Sequence, residues 1–420
     1  MRLYIIITGM IHDIGGGQQY TAGKIRYLER CGWEVWVFST TSSKDSILIH
    51  GMERFRTGGI VELEQPPFMY KREKQNEILT QMVSCLSRFQ WETTNEVVIE
   101  SHTDTLAFWG EMLAARIKAR HIIIPTAEEY NGRGQDYASY QDYFWFKFRR
   151  NEIIARGEII NRLFQGEKVV PEEQYRGFQF GAEADMVQEI CNPQIEALER
   201  KQYNILMISR MEKEAIPGML HGIHEFACAH QSETIQLIIV GNAEARAEEL
   251  RREISTLPNV ELVLLGVLIP VPRQLFRKAD IVLAISQTAR FASYENVPTI
   301  VPFYEDGRKD RSAGVLGYDT NDAYHGVGTF PKQYADVLED VLVNKRYLGQ
   351  PFKMPPQKSA DYWYAVTLEI MKQASSTMEY SIDKISKPRW DRIFKLYLRL
   401  RLRQWFPFLI PIKRKFFPEW

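Results

Sequence analysis

The residues ADIVLAISQTARFASYENVPTIVP, Ala279 to Pro302, contain one complete strand, helix and strand. An apolar run, Asp280 to Ala284, leads into Ser286, Gln287 and Thr288, residue types that open helices, and helical spacing then continues through Tyr294. The turn Glu295, Asn296, Val297, Pro298 leads into a second β-rich run, Thr299 to Val301. Neither strand alternates apolar with polar residues, so both read as covered on two faces, and a helix between two such strands is the crossover that a parallel sheet requires. The stretch therefore predicts a parallel α/β fold.

The same rhythm extends back from this stretch. Strands are predicted at Tyr203 to Ile208, Ile235 to Val240 and Val260 to Leu265, with helices at Pro217 to His230, Ala243 to Ser255 and Val271 to Lys278. The first half repeats it, with strands at Leu3 to Thr8, Glu34 to Phe38, Val97 to Ser101 and His121 to Pro125, and helices around Tyr20 to Cys31, Lys71 to Arg88 and Thr105 to Ala119. Between the halves the pattern loosens into prolines and charges, which places a boundary near Pro193 to Gln202. The expected organisation is a Rossmann-like domain over 1–195, a second over 196–350, crossover helices over 351–386 and a distinct tail over 387–420. Two such domains would leave a cleft between the carboxyl ends of their sheets, the place where open α/β folds take ligands.

Composition narrows the function. A chain of 420 residues, 45% of them hydrophobic, can fill two cores. Its 53 lysines and arginines balance 53 aspartates and glutamates, which argues against a nucleic-acid binder. Cys31, Cys85, Cys191 and Cys228 form no CxxC pair, so neither a zinc site nor a disulfide framework is indicated, and a reducing compartment fits. The apolar start, Leu3 to Ile7, is far shorter than the roughly 20 residues that span a bilayer.

Several strand ends carry polar chemistry. Gly15, Gly16 and Gly17 precede a helix and can form an anion-cradling turn or a plain tight turn. The spacing lacks the GxGxxG fingerprint and the acidic end of the second strand that a dinucleotide enzyme needs, since that strand closes in Phe38, Ser39 and Thr40. Glu100, Ser101 and His102 end the third strand, and His102 can bind a hydroxyl, act as a base or cap a helix. Glu128 and Glu129 follow the fourth strand with the same choice of roles. Arg210 and Lys213 suit a diphosphate, or a solvated loop paired with Glu212 and Glu214. Ser286 and Thr288 suit either a phosphate site or an ordinary helix cap.

Taken together, GGGQQYTAGKIRYLERCGWEVWVF, ISRMEKE, IIVGNAE, LLGV, ADIVLAIS, SYENVPTIVP and GVLGYDT resemble segments of GT-B fold glycosyltransferases of family 4, or group 1, especially those that make bacterial capsular or exopolysaccharide. The resemblance implies an acceptor-side N-terminal domain, a donor domain over 196–350, and retaining, metal-independent transfer of a hexose-type sugar to a lipid-linked or polysaccharide acceptor. On this reading the expected catalytic residues are His102, taken from its place at the strand end, and Arg210 and Lys213, which lie in the ISRMEKE segment. Donor contacts would come from Gly16, Gly17, Gly241, Gly266, Ser286, Gln287, Thr288 and Glu295, and acceptor contacts from Gln18 and Glu128. Phe291 stands where the wider family carries its second glutamate, and Glu295, one helical turn on, is the expected substitute. No cofactor or metal is expected, since no Asp-x-Asp motif is present. A nucleotide-sugar epimerase of the same fold and a silent scaffold are the competing readings.

The tail KPRWDRIFKLYLRLRLRQWFPFLIPIKRKFFPEW, from Lys387, joins many cations to tryptophan, phenylalanine and leucine. It is expected either to lie on the inner leaflet of the membrane, making the protein cytoplasmic and peripheral, or to pack back on the N-terminal domain.

Overall fold

The structure, a computed structural model, describes residues 2–9, 11, 15–40, 59–89, 96–126, 138–155, 186–242, 247–304, 310–323, 329–354, 358–373 and 380–382. The chain forms two compact units, Met1–Gln179 with Tyr364–Trp420, and Phe180–Trp363.

The first unit contains β1 (Arg2–Thr8), α1 (Gly16–Arg30), β2 (Glu34–Ser39), α2 (Arg72–Leu86), β3 (Glu96–Ser101), α3 (Asp104–Ile117), β4 (Arg120–Ile123) and α4 (Ala138–Arg149). Its strands are all parallel, in the order β2-β1-β3-β4. Every residue of β1 after Arg2 is buried, which explains its unbroken apolar sequence. One face of the sheet packs Leu3, Ile5, Ile7, Phe38 and Ile99 against Met82 of α2 and Trp109 of α3. Helix α3 starts on a Thr103 side chain that accepts the Leu106 N–H at 3.2 Å, and its Gly110 lets it lie against β3 and β4, because a Cβ there would overlap Ser101 Oγ.

That packing surrounds a buried ionic network. Glu111 on α3 accepts from His121 Nδ1 at 2.8 Å and pairs with Lys147 Nζ at 2.9 Å, while Lys147 also meets Glu152 at 2.7 Å. His121 Nε2 is 3.0 Å from Ser101 Oγ, so the ring carries its proton on Nδ1 and accepts from the serine. Burial, followed by the Lys147 charge, pushes His121 down to about 4. A histidine depressed in the folded state adds stability that is complete above its unfolded value near 6.5 and is lost as pH falls through about 4. Denaturant midpoints taken from pH 7 to pH 4 should therefore show a loss of about 3 kcal/mol that the His121→Gln variant lacks. Equal pH dependence in the two proteins would contradict this.

The second unit contains β5 (Val187–Gln188), α5 (Pro193–Glu196), β6 (Tyr203–Ile208), α6 (Ile216–Ala229), β7 (Ile235–Val240), α7 (Ala247–Ile254), β8 (Val260–Gly266), β9 (Val271–Pro272), α8 (Arg273–Lys278), β10 (Ile281–Ala284), α9 (Gln287–Tyr294), β11 (Thr299–Pro302), β12 (Ser312–Val315) and α10 (Tyr334–Leu342). The main sheet runs β12-β11-β10-β6-β7-β8, parallel except for the β11–β12 pair. The helix expected from Val271 begins instead at Arg273. Val271 precedes a proline, which disfavours helical backbone, and its N–H donates to Met186 O at 2.7 Å as part of the β5–β9 pair.

A final helix, α11 (Ala360–Gln373), belongs to the first unit from Tyr364 on. There Tyr364 Oη donates to Tyr20 O at 3.2 Å and Met371 Sδ lies 3.6 Å from Tyr4 Oη. Tyr380 N–H then donates to Glu111 Oε1 at 3.0 Å, and its ring packs on Tyr143 and Phe146. The basic tail over 387–420 lies outside the described residues. Among the described residues no helix is long and apolar enough to cross a membrane.

Candidate functional site

In the second unit, four strand ends form one row. Ile208 at the end of β6 is in register with Ala284 on β10 and with Val240 on β7, and Val240 is in register with Gly266 on β8. The residues that follow are tied together past the regular ladder: Ser209 N–H donates to Val240 O at 3.1 Å and Gly241 N–H to Gly266 O at 2.8 Å. Arg210, Gly241, Gly266 and Ser286, expected at the site from sequence, therefore lie along one carboxyl edge, across strand spacings totalling roughly 14 Å.

The edge depends on two glycines with unusual backbone. Gly241 has φ +146, and a Cβ there would overlap the Ser209 carbonyl oxygen, so the β6 and β7 loops can cross only over a hydrogen. Gly266 has φ +67 with open space around it. Arg210 is half exposed and its Nη1 lies 3.3 Å from Glu212 Oε1. Lys213 follows in the same loop, its N–H donating to Arg210 O at 3.3 Å.

Ser286 joins β10 to α9 with φ 64 and ψ −130, a conformation that L residues rarely hold. Its N–H donates to Ala323 O at 2.9 Å, and its side chain does not cap the helix. The ordinary-cap explanation for this serine is thereby removed. Gln287 and Thr288 form the first turn of α9.

Glu295 stands apart from this row. It ends α9 beside the start of β11, at the opposite edge of the sheet, and both of its oxygens meet Arg273 Nε, at 3.0 and 2.9 Å. Phe291 is buried in the same helix. The GVLGYDT segment is also structural: Asp319 accepts from Val315 N–H at 2.9 Å and Tyr347 Oη at 2.6 Å and pairs with Lys332 Nζ at 3.0 Å.

In the first unit, Gly15, Gly16 and Gly17 do open α1, but none has positive φ. Of the three, only Gly16 faces open space, since a Cβ there would meet nothing within 4 Å, whereas one at Gly15 would overlap Gln18 Oε1 and one at Gly17 would touch Thr126 Oγ1 at 3.3 Å. The Gln18 side chain folds back over Gly15. Glu128 and Glu129 lie outside the described residues.

His102 is enclosed, at 1% exposure. Its Nδ1 is 2.9 Å from Thr8 Oγ1 and its Nε2 is 2.8 Å from Glu100 Oε1. Glu100 also accepts from Tyr20 Oη at 3.0 Å, from Tyr4 Oη and from Lys24 Nζ, all of them buried. Burial alone would raise the Glu100 pKa, but the Lys24 charge and the His102 hydrogen bond bring it down to about 2. The ionised carboxylate thus needs a proton on His102 Nε2, while Nδ1 shares a hydrogen bond with the Thr8 hydroxyl. The ring holds the carboxyl ends of β1 and β3 together. Sequence reasoning missed this cluster, although a glutamate inside an apolar strand was its signal, because a buried carboxylate requires partners.

Comparison with solved structures fixes the architecture. A glycosyltransferase from Rickettsia africae ESF-5 matches with a TM-score of 0.55 and 11% identity, over 95% of this chain and 98% of that one. The chain has the GT-B fold. A UDP-GlcNAc 2-epimerase from Methanocaldococcus jannaschii, solved with UDP-GlcNAc and UDP, aligns with a TM-score of 0.45 and 16% identity over 88% of this chain and all (100%) of the other. Anabaena Alr3699/HepE, solved with UDP and glucose, aligns with a TM-score of 0.48 and 13% identity over 89% of this chain and 96% of the other. Of these three, the Rickettsia structure carries the fold assignment. No protein-family model and no curated protein sequence matches the chain. Among the described residues of this GT-B chain, no group of three or more histidine, cysteine, aspartate or glutamate side chains is placed to hold a metal ion.

Proposed function

We propose that the chain is a glycosyltransferase that takes a sugar from a nucleotide-sugar donor at the carboxyl edge of the second sheet. The observation that carries this reading is the single row formed by Arg210, Gly241, Gly266 and Ser286. Arg210 and Lys213 bring two positive charges to that row, and α9 directs the positive end of its dipole there. Departure of a nucleoside diphosphate from the sugar concentrates negative charge on the leaving phosphate, so these groups stabilise the transition state more than the ground state. Within the first unit, Gln18 is assigned to the acceptor. His102 is assigned to hold the Thr8 end of β1, since both its ring nitrogens are engaged.

The finer reading follows the family 4 resemblance: a hexose-type sugar moved with retention of configuration to a lipid-linked or polysaccharide acceptor, in bacterial surface polysaccharide synthesis. The protein would work at the inner leaflet of the membrane, held there by the basic tail, with each cation near an anionic surface contributing about 1 kcal/mol. Deleting 387–420 is expected to abolish co-sedimentation with anionic vesicles, and unchanged sedimentation would refute that role for the tail.

The activity test is incubation of the full chain with UDP-, GDP-, dTDP- and CMP-sugars, with and without a membrane lipid extract as acceptor source, followed by mass spectrometry and NMR. Acceptor-dependent release of the donor's own nucleotide, a nucleoside diphosphate from UDP-, GDP- and dTDP-sugars and CMP from CMP-sugars, supports transfer. Conversion of the sugar without acceptor would replace this reading with an epimerase, and an inert panel would favour a silent scaffold.

A further inference from the structure

The loop after β6 carries an anion of its own. Arg210 Nη1 lies 3.3 Å from Glu212 Oε1, with the two side chains 50% and 55% exposed. A surface pair of this kind normally exchanges freely with solvent. Here the carboxylate is tethered from the neighbouring strand, because Glu212 Oε2 accepts from Asn242 Nδ2 at 3.0 Å. Asn242 Oδ1 accepts the Met211 N–H, also at 3.0 Å. One amide thus grips the backbone next to Arg210 with its oxygen and the carboxylate with its nitrogen. Burial alone would raise the Glu212 pKa, but the Asn242 hydrogen bond and the charges of Arg210 and Lys213 hold it below its usual value, so it is ionised at neutral pH.

We infer that Glu212, fixed by Asn242, is a resident counter-anion for Arg210 that a nucleoside diphosphate has to displace, and that it limits how tightly the nucleotide product is held. This deepens the donor-site reading above and rests on it. One guanidinium cannot give its full charge to both anions, and an arriving diphosphate meets a fixed negative charge beside the strand end. The same repulsion that weakens binding speeds departure of the nucleotide after transfer, a step that often limits turnover. A merely structural Glu212 would have the opposite signature, since losing a structural contact loosens a site.

The test is calorimetric titration of the full chain with UDP, GDP, ADP and dTDP, for wild type, Glu212→Gln, Glu212→Ala, Arg210→Ala and the Arg210→Ala/Glu212→Gln double variant. Removing the counter-anion is expected to tighten binding about fivefold in both Glu212 variants. That gain should shrink as salt rises from about 0.05 M to about 0.5 M, and it should shrink in the Arg210→Ala background, where there is no guanidinium to release and only the direct repulsion remains. Unchanged or weaker binding by the Glu212 variants, or a gain that is undiminished without Arg210, overturns the inference while leaving the donor site standing. If wild type binds none of the four nucleotides, the donor-site reading falls and the counter-anion falls with it.

Discussion

Replacing Gly241 by alanine is expected to abolish nucleotide binding and to cost about 3–5 kcal/mol of stability in the second unit. The added methyl would overlap the Ser209 carbonyl oxygen, which is main chain and has no rotamer to escape into. The residue would also have to hold φ +146, where side chains other than hydrogen are strained. Relief means separating the β6 and β7 loops, and that breaks the Ser209–Val240 and Gly241–Gly266 hydrogen bonds that align Arg210 with the row. Gly9→Ala is the control, because a Cβ there meets nothing within 4 Å and no site role is assigned to that residue. Urea denaturation and nucleotide titration of both variants measure the effect. A Gly241→Ala protein with wild-type midpoint and affinity would show that the close crossing of the loops is unimportant.

Lys24→Met is expected to destabilise the first unit by about 3–5 kcal/mol, because it strands the Glu100 carboxylate in the core. Glu100 and Lys24 are both fully buried, and Tyr4, Tyr20 and His102 complete the shell around the carboxylate. Burial lowers the Lys24 pKa while Glu100 raises it again, so the two charges survive only as a pair. The double variant Lys24→Met/Glu100→Gln carries no buried charge and should recover much of the loss, a non-additivity that a cycle of midpoints measures directly. If the double variant is less stable than Lys24→Met alone, the stranded charge is not the cause. Glu100 also gives the pair a pH signature. Its folded pKa of about 2 lies below the usual 4.5, so its contribution is complete above 4.5 and is lost as pH falls toward 2.

The repeating strands were legible because parallel strands buried on both faces spell themselves as apolar runs, as in Tyr203–Ile208 and Ile235–Val240. β12 was not legible, since Ser312, Ala313, Gly314 and Val315 have neither the bulk nor the period of a strand and pair antiparallel only because β11 offers an edge. That Arg210, Gly241, Gly266 and Ser286 share one edge could be read because topology alone puts residues after parallel strands there. Glu295 shows the limit of that reasoning. Its helical register was compatible with a donor role, but α9 ends there and Arg273, reached through a separate strand, holds the carboxylate. Asn242, Glu212 and the Lys24–Glu100 pair depend on contacts between distant segments, which no local pattern encodes.

The central claim is that a nucleoside diphosphate sits on the carboxyl edge of the second sheet. Hydrogen–deuterium exchange of the full chain, with and without a saturating nucleoside diphosphate, tests it residue by residue. The expected result is slower exchange in peptides covering 208–214, 240–242 and 285–290, lost in Arg210→Ala. Protection confined to other segments, or protection of these peptides that survives Arg210→Ala unchanged, would contradict it.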